Sequence, residues 1–389
     1  MKILMVHNYY AQRGGEDAVF AQERDLLKEN GHEVVEYTRD NSELGRQNLF
    51  KLAIDAIWSR ETYDNILASI SDIRPNIIHV HNTLPQISPS VYYAAWRKRV
   101  PIVQTLHNYR LVCASGLLLR NATTCEDCLH KPFGWPAVLH KCYRGDRAAS
   151  MSVVATVGLH RAAATWRSKI ARYIALCEFS RNKILASGIP AERVAVKPNF
   201  VVDRHSTSSK HMGRSGGLFV GRLSVEKGVD TLVEAWRQVD GGLRVVGTSD
   251  LEGAFRSAAP PSIQFLGFLG VDDVALEMRK ASFLVMPSRS YEGFPMVLAE
   301  AFSAGLPVIA SKLGALAELV DDGITGLHFR PGEPVDLAEK IMWAIAHPDR
   351  MAEMGSRARE IYERAYAPSA NYQRLMDIYH DARAVLQPS

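Results

Sequence analysis

The feature that most constrains the fold is an alternation of short apolar segments with helical patterns, which runs twice along the 389-residue chain. Apolar runs such as Lys2–His7 and Pro101–His107 predict strands. Stretches with helical periodicity lie between such runs, among them Leu44–Trp58 and Ala148–Lys169. The alternation restarts at Leu218–Val220 and continues through Pro307–Ala310. Such repeats predict parallel sheets, because each helix returns the chain to the starting edge of the sheet. The predicted fold class is α/β, with two Rossmann-like, doubly wound parallel-sheet domains facing a cleft.

The segment between the two repeats sets the predicted domain boundaries. Residues 203–215 are polar and rich in serine, which predicts a linker. We therefore expect an N-terminal domain at residues 1–202, a C-terminal domain at residues 216–368 and a last helix at residues 369–389. The N-terminal domain contains a cysteine-rich insert at residues 109–145, where the alternation is interrupted.

The second repeat begins with two cations in one turn. Arg222 and Lys227 lie within Gly221–Gly228, directly after the strand predicted at Leu218–Val220. Ligands of doubly wound sheets bind beyond the carboxyl ends of the strands, and two cations there can hold a diphosphate and stabilise it as a leaving group. The chain has no Asp-x-Asp triplet that would hold a divalent metal for this purpose. The alternative is a pair of exposed cations in a loop.

A second stretch, Ser290–Glu300, predicts a loop that enters a helix with a carboxylate at each end. Pro295 suits the first helical position, and the free N–H groups of the first turn favour anions and can also bind hydroxyls. Glu292 and Glu300 can accept hydrogen bonds from hydroxyl groups. A molecule with both phosphate and many hydroxyls is a nucleotide sugar. The alternative is a surface turn before an amphipathic helix.

The first repeat offers weaker signals. Gly14-Gly15 lies in the loop after the first strand, where glycine lets the backbone approach a ligand closely. His107 follows the strand at Pro101–His107, in a position that could bind a sugar or transfer a proton, although a structural histidine is about equally expected. His79 and His81 share one face of their strand, but no further metal ligands lie near them in sequence. Neither repeat has a dinucleotide-binding or Walker glycine motif, which argues against NAD-dependent redox chemistry and ATP hydrolysis.

The insert contains four cysteines, with a Cys-x2-Cys pair between two flanking cysteines. In a cytosolic chain this arrangement favours a structural zinc site over disulfides, and simple reduced cysteines are the alternative. His130 and His140 could substitute as ligands. The expected ligands are Cys113, Cys125, Cys128 and Cys142.

The charge is unevenly distributed although the net charge is only +4. Residues 1–205 carry 27 Lys and Arg against 19 Asp and Glu, and residues 131–193 carry 11 basic against 3 acidic residues. This basic segment could face anionic lipid, nucleic acid or an acidic substrate. No signal peptide or membrane-spanning run is evident, so we expect a cytoplasmic protein, with a peripheral position on the inner face of the membrane as an option.

These motifs together resemble the GT4-type retaining glycosyltransferases of GT-B fold. The resemblance rests on Gly221-Arg222-Leu223 with Glu226-Lys227-Gly228, and on Glu292-x7-Glu300 around Gly-Phe-Pro. It extends to Gly14-Gly15, to His107 and to Lys197-Pro198-Asn199, and thus covers nearly the whole chain.

The resemblance implies a role for each matching residue. Arg222 and Lys227 would bind the donor diphosphate, Glu300 would bind the ribose, and His107 would contact the donor sugar near the reaction centre. The last helix would cross back to the N-terminal domain. The catalytic residues expected are His107, Arg222, Lys227 and Glu292. The donor-binding residues expected are Gly14, Gly15, Asn199, Gly293, Phe294, Pro295, Met296, Val297 and Glu300.

The resemblance also implies retention of the anomeric configuration, with no cofactor for catalysis. The sequence suggests no convincing carboxylate nucleophile in the N-terminal half, so we favour a same-face reaction in which the departing phosphate accepts the proton of the acceptor. The expected function is transfer from a UDP- or GDP-linked sugar to a lipid-linked or polysaccharide acceptor in exopolysaccharide, capsule or lipopolysaccharide synthesis. The alternatives are a nucleotide-sugar epimerase or phosphorylase of the same fold, and a zinc-bearing nucleic-acid binder that uses residues 131–193.

Overall fold

The computed structural model describes residues 1–11, 14–44, 49–204 and 213–385. The chain divides into two compact units. Unit 1 comprises Met1–Leu118, Glu126–Pro198 and Asn371–Ser389, and unit 2 comprises Leu119–Cys125 and Asn199–Ala370. The central part of the predicted linker, residues 205–212, lies outside the described residues.

The chain up to Pro198 alternates strands and helices as its sequence pattern predicts. Its strands are β1 (Lys2–Tyr9), β2 (Glu33–Asp40), β3 (Ile77–Val80), β4 (Ile102–Leu106), β5 (Leu119–Arg120), β6 (Thr123–Thr124), β7 (Arg172–Ala175) and β8 (Val194–Val196). Its helices are α1 (Gly15–Glu29), α2 (Leu49–Ile57), α3 (Arg60–Ile73), α4 (Ser90–Arg97), α5 (Trp135–Leu139), α6 (Arg147–Ala162), α7 (Thr165–Ser168) and α8 (Glu178–Leu185).

The remainder of the chain repeats the arrangement and ends with long helices. Its strands are β9 (Gly217–Val220), β10 (Leu243–Val246), β11 (Ile263–Gly267), β12 (Phe283–Met286), β13 (Val308–Ser311) and β14 (Gly326–Phe329). Its helices are α9 (Val229–Trp236), α10 (Glu252–Ala258), α11 (Val271–Lys280), α12 (Met296–Ser303), α13 (Ala315–Leu319), α14 (Pro334–Ala346), α15 (Pro348–Ile361) and α16 (Pro368–Ala384).

Each unit contains a six-stranded parallel sheet. The strand order is β2-β1-β3-β4-β7-β8 in unit 1 and β11-β10-β9-β12-β13-β14 in unit 2, while β5 and β6 form a separate antiparallel pair. The order reverses between β1 and β3 in the first sheet and between β9 and β12 in the second. Loops diverge at such a reversal and leave a crevice, so these two positions are where a ligand is expected to bind.

The last helix completes the core of unit 1. Leu375 and Tyr379 of α16 are fully buried and pack in one apolar cluster with Ile3 and Met5 of β1 and Phe20 of α1. Burial of such large side chains contributes about 1.5–3 kcal/mol each. The C-terminal helix is therefore a structural part of unit 1, although about 170 residues of unit 2 precede it.

Three details differ from the sequence pattern. The helix predicted at Ala148–Lys169 is two helices, α6 and α7, because Ala164 adopts a left-handed conformation with φ 53° between them. Strand β14 was not predicted. The helix predicted at Leu44–Trp58 is present as α2 from Leu49, and residues 45–48 of that prediction lie outside the described residues.

No helix among the described residues is long and apolar enough to cross a membrane.

Candidate active site

The strongest polar contact at the β9–β12 reversal of unit 2 is an ion pair. Lys227 ends a short 3₁₀ turn after β9, and Glu292 lies in the loop between β12 and α12. Lys227 Nζ donates to Glu292 Oε1 at 2.7 Å, and the Ser288 hydroxyl donates to the same oxygen at 2.7 Å. The structure thus brings together two of the predicted catalytic residues from opposite sides of the reversal.

Both predicted carboxylates of this loop and helix have shifted pKa values. Burial alone would raise the pKa of Glu292, but the Lys227 ammonium and the hydrogen bonds from Lys227 and Ser288 hold the pKa below its usual range. Burial raises the pKa of Glu300, and the opposing charge of Arg204 only partly offsets this effect. Glu292 is therefore an ionised acceptor, while Glu300 takes up a proton more readily than an ordinary glutamate.

Glycine is required where the two loops meet. Gly228 has φ 73°, and a Cβ there would lie 1.9 Å from the carbonyl oxygen of Pro287, which follows β12. Any other residue would push the Lys227 turn away from the β12 loop. The Arg289 backbone N–H also donates to Glu226 O at 2.9 Å, so a backbone hydrogen bond joins the two loops next to Lys227.

Helix α12 begins at Met296, and Pro295 is its N-cap rather than its first residue, one position from the prediction. The N–H of Leu298 already bonds to Pro295 O, which leaves the N–H groups of Met296 and Val297 at the helix start. Phe294 is buried, and its ring meets Tyr366 edge-on at 5.1 Å between centroids. The Phe294 side chain therefore anchors the loop, and a ligand would meet this segment through its backbone.

The remaining predicted residues of unit 2 are placed differently. Arg222 is 63% exposed and pairs with Glu226 at 3.4 Å. Asn199 is buried, and no described residue bonds to its Oδ1. Neither side chain is held against the Lys227–Glu292 pair by a hydrogen bond.

In unit 1 the predicted residues Gly14 and Gly15 lie at the start of α1, and His107 lies in the loop after β4. Gly14 is the N-cap of α1, and its N–H donates to Asp17 Oδ2 at 2.9 Å. A Cβ at Gly14 would meet no atom within 4 Å, so the fold itself does not require glycine there. His107 is half-buried and lines a small cavity of about 50 Å³ with Arg110.

Below His107 lies a fully buried ionic cluster that the sequence analysis missed. Lys197 Nζ donates to Glu23 Oε2 at 2.9 Å and to Asn371 Oδ1 of α16 at 3.0 Å. Glu23 Oε1 lies 2.9 Å from His79 Nδ1 and 3.3 Å from His81 Nε2. The sequence did contain a signal, since the charged residue Glu23 falls at helical spacing among the apolar residues of α1 that become buried.

Glu23, His79 and His81 are the only group of three ligand atoms within 4.8 Å of one another among the described residues. The Lys197 ammonium already neutralises Glu23. A divalent cation at this position would be repelled by Lys197, so we interpret the cluster as an ion-pair network and not as a metal site.

The four cysteines of the insert do not form a metal-binding group in the described part of the chain. No three of them, with or without histidine, place their ligand atoms within 4.8 Å of one another. Cys128 and Cys142 pack against a small apolar cluster that includes Ala137 and Val154. A structural zinc at Cys113, Cys125, Cys128 and Cys142 therefore stays a prediction from their spacing alone.

A second residue missed from sequence is Glu16, directly after Gly14-Gly15. Its Oε2 accepts from the Tyr10 hydroxyl at 3.0 Å and from Asn108 Nδ2 at 3.5 Å, and its Oε1 has no described partner. Burial raises the pKa of Glu16 to about 7, although Tyr10 and Arg110 oppose the shift. The loops after β1 and β4 thus share a carboxylate that is poised to gain or lose a proton near neutral pH.

We expect Glu16→Gln to stabilise unit 1 at pH 8 by about 1–2 kcal/mol, a value discounted because the side chain is partly exposed. The folded pKa of about 7 exceeds the ordinary 4.5, so the folded state holds this proton more tightly than the unfolded state. The contribution of the Glu16 carboxyl to the free energy of unfolding is complete below pH 4.5 and is lost as the pH rises through 7. Urea unfolding should show a gain at pH 8 and none at pH 4.5, and Glu29→Gln at the exposed end of α1 is the control.

The fold and these two sites can be compared with known proteins. Residues 14–199 match the family described as glycosyl transferase 4-like domain, and residues 215–347 match the family described as glycosyl transferases group 1. The chain belongs to the group 1 glycosyltransferases, and its two parallel-sheet α/β units are those of the GT-B fold.

Curated relatives agree with this assignment over part of their length. An uncharacterised glycosyltransferase of Methanocaldococcus jannaschii is 39% identical over 148 residues, which cover 37% of this chain and 42% of that protein. A phosphatidyl-myo-inositol mannosyltransferase of Mycobacterium leprae is 33% identical over 229 residues, covering 55% and 60%. The matches thus span less than two thirds of either relative.

Solved structures match over nearly the whole chain. Sucrose-phosphate synthase from Thermosynechococcus elongatus has a TM-score of 0.72 and 19% identity, with 99% of each chain covered. Anabaena HepE in complex with UDP and glucose has a TM-score of 0.68 and 19% identity, with 97% of this chain and 98% of that chain covered. At this identity the likeness concerns the fold.

Proposed function

We propose that the protein transfers a hexosyl group, with retention of anomeric configuration, from a UDP- or GDP-linked sugar to a lipid-linked or polysaccharide acceptor of the cell envelope. The observation that carries the proposal is the Lys227–Glu292 pair at the β9–β12 reversal of unit 2, beside the start of α12. A cation, an ionised carboxylate and free backbone N–H groups at one point suit a ligand with a diphosphate and sugar hydroxyls. The complexes of HepE with UDP, and with UDP and glucose, support a nucleotide-sugar donor.

The proposed reaction takes place on one face of the sugar. The bond from the anomeric carbon to the diphosphate oxygen breaks while the acceptor oxygen bonds to the same carbon. The departing phosphate oxygen takes the proton of the acceptor hydroxyl. Lys227 stabilises the charge on the diphosphate, and the flexible side chain of Arg222 reaches the same group. Glu292 orients the sugar hydroxyls. No metal or other cofactor is needed for these steps.

An apolar groove in unit 1 supports a lipid-linked acceptor. A cavity of about 320 Å³ lies between Leu52 and Ala56 of α2 and Val153 of α6, with Arg144 and Asp146 at its edge. It shares Leu84 and Thr156 with the small cavity that His107 lines. We assign this groove to the hydrocarbon chain next to the acceptor's head group, and its rim cation suits a lipid phosphate.

The surface around this groove supports contact with a membrane. Ile54 of α2, Trp58 directly after it, and Met151 and Leu159 of α6 are large apolar side chains that are 39–54% exposed. Met151 and Leu159 lie within the basic segment at residues 131–193, and α2 packs against α6. Apolar and cationic side chains on one surface are the combination that binds the interface of an anionic bilayer.

The proposed activity is tested by following sugar transfer with proton NMR. The protein is incubated with UDP- and GDP-sugars and a water-soluble acceptor that carries a short alkyl chain, with EDTA present. The anomeric coupling constant of the product identifies its configuration. A product with the configuration of the donor is expected. An inverted product would overturn the same-face mechanism, and no turnover of any donor would overturn the transferase proposal.

Filling the groove should affect acceptors with a lipid chain and spare others. The substitution Ala149→Leu places a larger side chain in the groove. We expect it to lower kcat/KM for a long-chain acceptor about tenfold, because roughly two methylenes of the acceptor chain can no longer be buried there. The KM for the donor should not change. Ala254→Leu on the exposed face of α10 is the matched control. Equal losses with long-chain and chain-free acceptors would contradict the assignment of the groove.

A further inference from the structure

His107 shares one proton with a buried neighbour. Its Nε2 lies 3.0 Å from His81 Nδ1, and the two rings stack with their centroids 5.2 Å apart. Only one of these two nitrogens can carry the hydrogen of this bond. The direction of the bond decides whether the other nitrogen of His107 offers a donor or an acceptor to a ligand.

The carboxylate of Glu23 sets the proton on the far side of His81. Glu23 Oε1 lies 3.3 Å from His81 Nε2, and Lys197 holds the other carboxylate oxygen at 2.9 Å. Burial would raise the pKa of Glu23, but Lys197 and the histidines hold it well below its usual range, so Glu23 is ionised. A bare Nε2 lone pair would be repelled by this carboxylate, so His81 carries its hydrogen on Nε2.

Neutral His81 has no second hydrogen to give. Burial, together with the charge of His79, lowers the pKa of His81 to about 3 even though Glu23 opposes the shift. Its Nδ1 is therefore a bare acceptor at neutral pH, and the hydrogen of the shared bond belongs to His107 Nε2. Burial also lowers the pKa of His107, so its Nδ1 is left with a free lone pair.

We propose that Glu23 and His81 are positioning residues that hold His107 in the Nε2–H tautomer, so that its Nδ1 accepts a hydrogen bond from a sugar hydroxyl. No described residue bonds to Nδ1, and the His107 side chain lines a cavity, which leaves this atom for a ligand. The tautomer follows from the geometry of unit 1 alone, while the sugar contact rests on the proposed function. The protein thus selects a hydroxyl at this point and disfavours a substrate analogue that lacks it.

The tautomer is measured directly by long-range proton–nitrogen NMR of protein labelled with ¹⁵N-histidine, at pH 7.5 and without ligand. His107→Gln assigns the signals. A protonated Nε2 and a bare Nδ1 on His107 are expected, and a protonated Nδ1 in the unaltered protein would overturn the proposal. In His81→Leu both tautomers should appear. Thr105→Val removes a 2.8 Å contact to His79 in the same cluster but should preserve the tautomer.

A kinetic experiment tests the consequence for catalysis. His81→Leu is expected to lower kcat/KM for sugar transfer about 10- to 100-fold, as loss of a supporting hydrogen bond commonly does. In a His107→Leu background the same substitution should have no further effect, because the two act through one hydrogen bond. Additive losses would show that His81 has only a structural role. Absence of any donor turnover would count against the proposed function and leave the NMR result to decide the tautomer.

Discussion

Lys227→Met is expected to lower kcat for sugar transfer by about 10²- to 10³-fold at saturating donor, the usual effect of removing one group that stabilises a developing anion. Lys227 is a cation held at the β9–β12 reversal, and its 2.7 Å contact with Glu292 fixes the position of its ammonium group. Methionine keeps most of the side-chain volume and removes the charge. The measurement is release of the nucleoside diphosphate, followed with a coupled assay in EDTA.

The control for Lys227→Met is Arg350→Ala, which removes an exposed cation of α15 that pairs with Glu353. It should leave kcat unchanged, because exposed pairs contribute little to stability and this one lies far along the chain from the reversal. Thermal unfolding of both variants verifies that they are folded. Wild-type kcat in a folded Lys227→Met protein would contradict the role of Lys227 as the principal electrostatic group.

Lys197→Met is expected to destabilise unit 1 by about 3–5 kcal/mol, because it leaves the carboxylate of Glu23 buried without its counter-charge. Lys197 is 1% exposed and Glu23 is fully buried, so water cannot replace the lost partner. The loss is measured by hydrogen exchange of amides in β1 and β3. Amides of β9 in unit 2 serve as the internal control, since a local effect should spare them.

A second substitution separates the loss of the charge pair from the loss of packing. Adding Glu23→Gln to Lys197→Met removes the stranded charge, and we expect it to restore most of the lost stability. A double variant as unstable as Lys197→Met alone would show that the cost lies in packing. It would also weaken the inference that an ionised Glu23 sets the proton on His81.

The sequence predicts the parallel α/β architecture well because that architecture depends on local signals. Each buried parallel strand is a short apolar run, and helical periodicity between runs fixes the crossovers. Strand β14 could not be predicted because Gly326–Phe329 begins with glycine and contains His328, which interrupts the apolar run. The break within the helix predicted at Ala148–Lys169 could not be predicted, because alanine rarely adopts the left-handed conformation that Ala164 has.

The candidate site was predictable only where a motif lies in one stretch of sequence. Lys227 and Glu292 each belong to a recognisable motif, although their 2.7 Å contact joins loops 65 residues apart. The Glu23–Lys197 pair joins residues 174 apart, and no local pattern relates them. A charged residue on the apolar stripe of α1 is evidence that a partner exists, but the partner follows only from the fold.

The central claim is that unit 2 binds a nucleoside diphosphate through Lys227 without a metal. The most direct test is calorimetric titration of the purified protein with UDP, GDP, ADP and dTDP in EDTA. We expect one nucleotide to bind, with the affinity reduced about 100-fold or more in Lys227→Met, since a charge-assisted contact to phosphate is lost. Absence of binding by all four nucleotides, or binding that appears only after a divalent metal is added, would contradict the account.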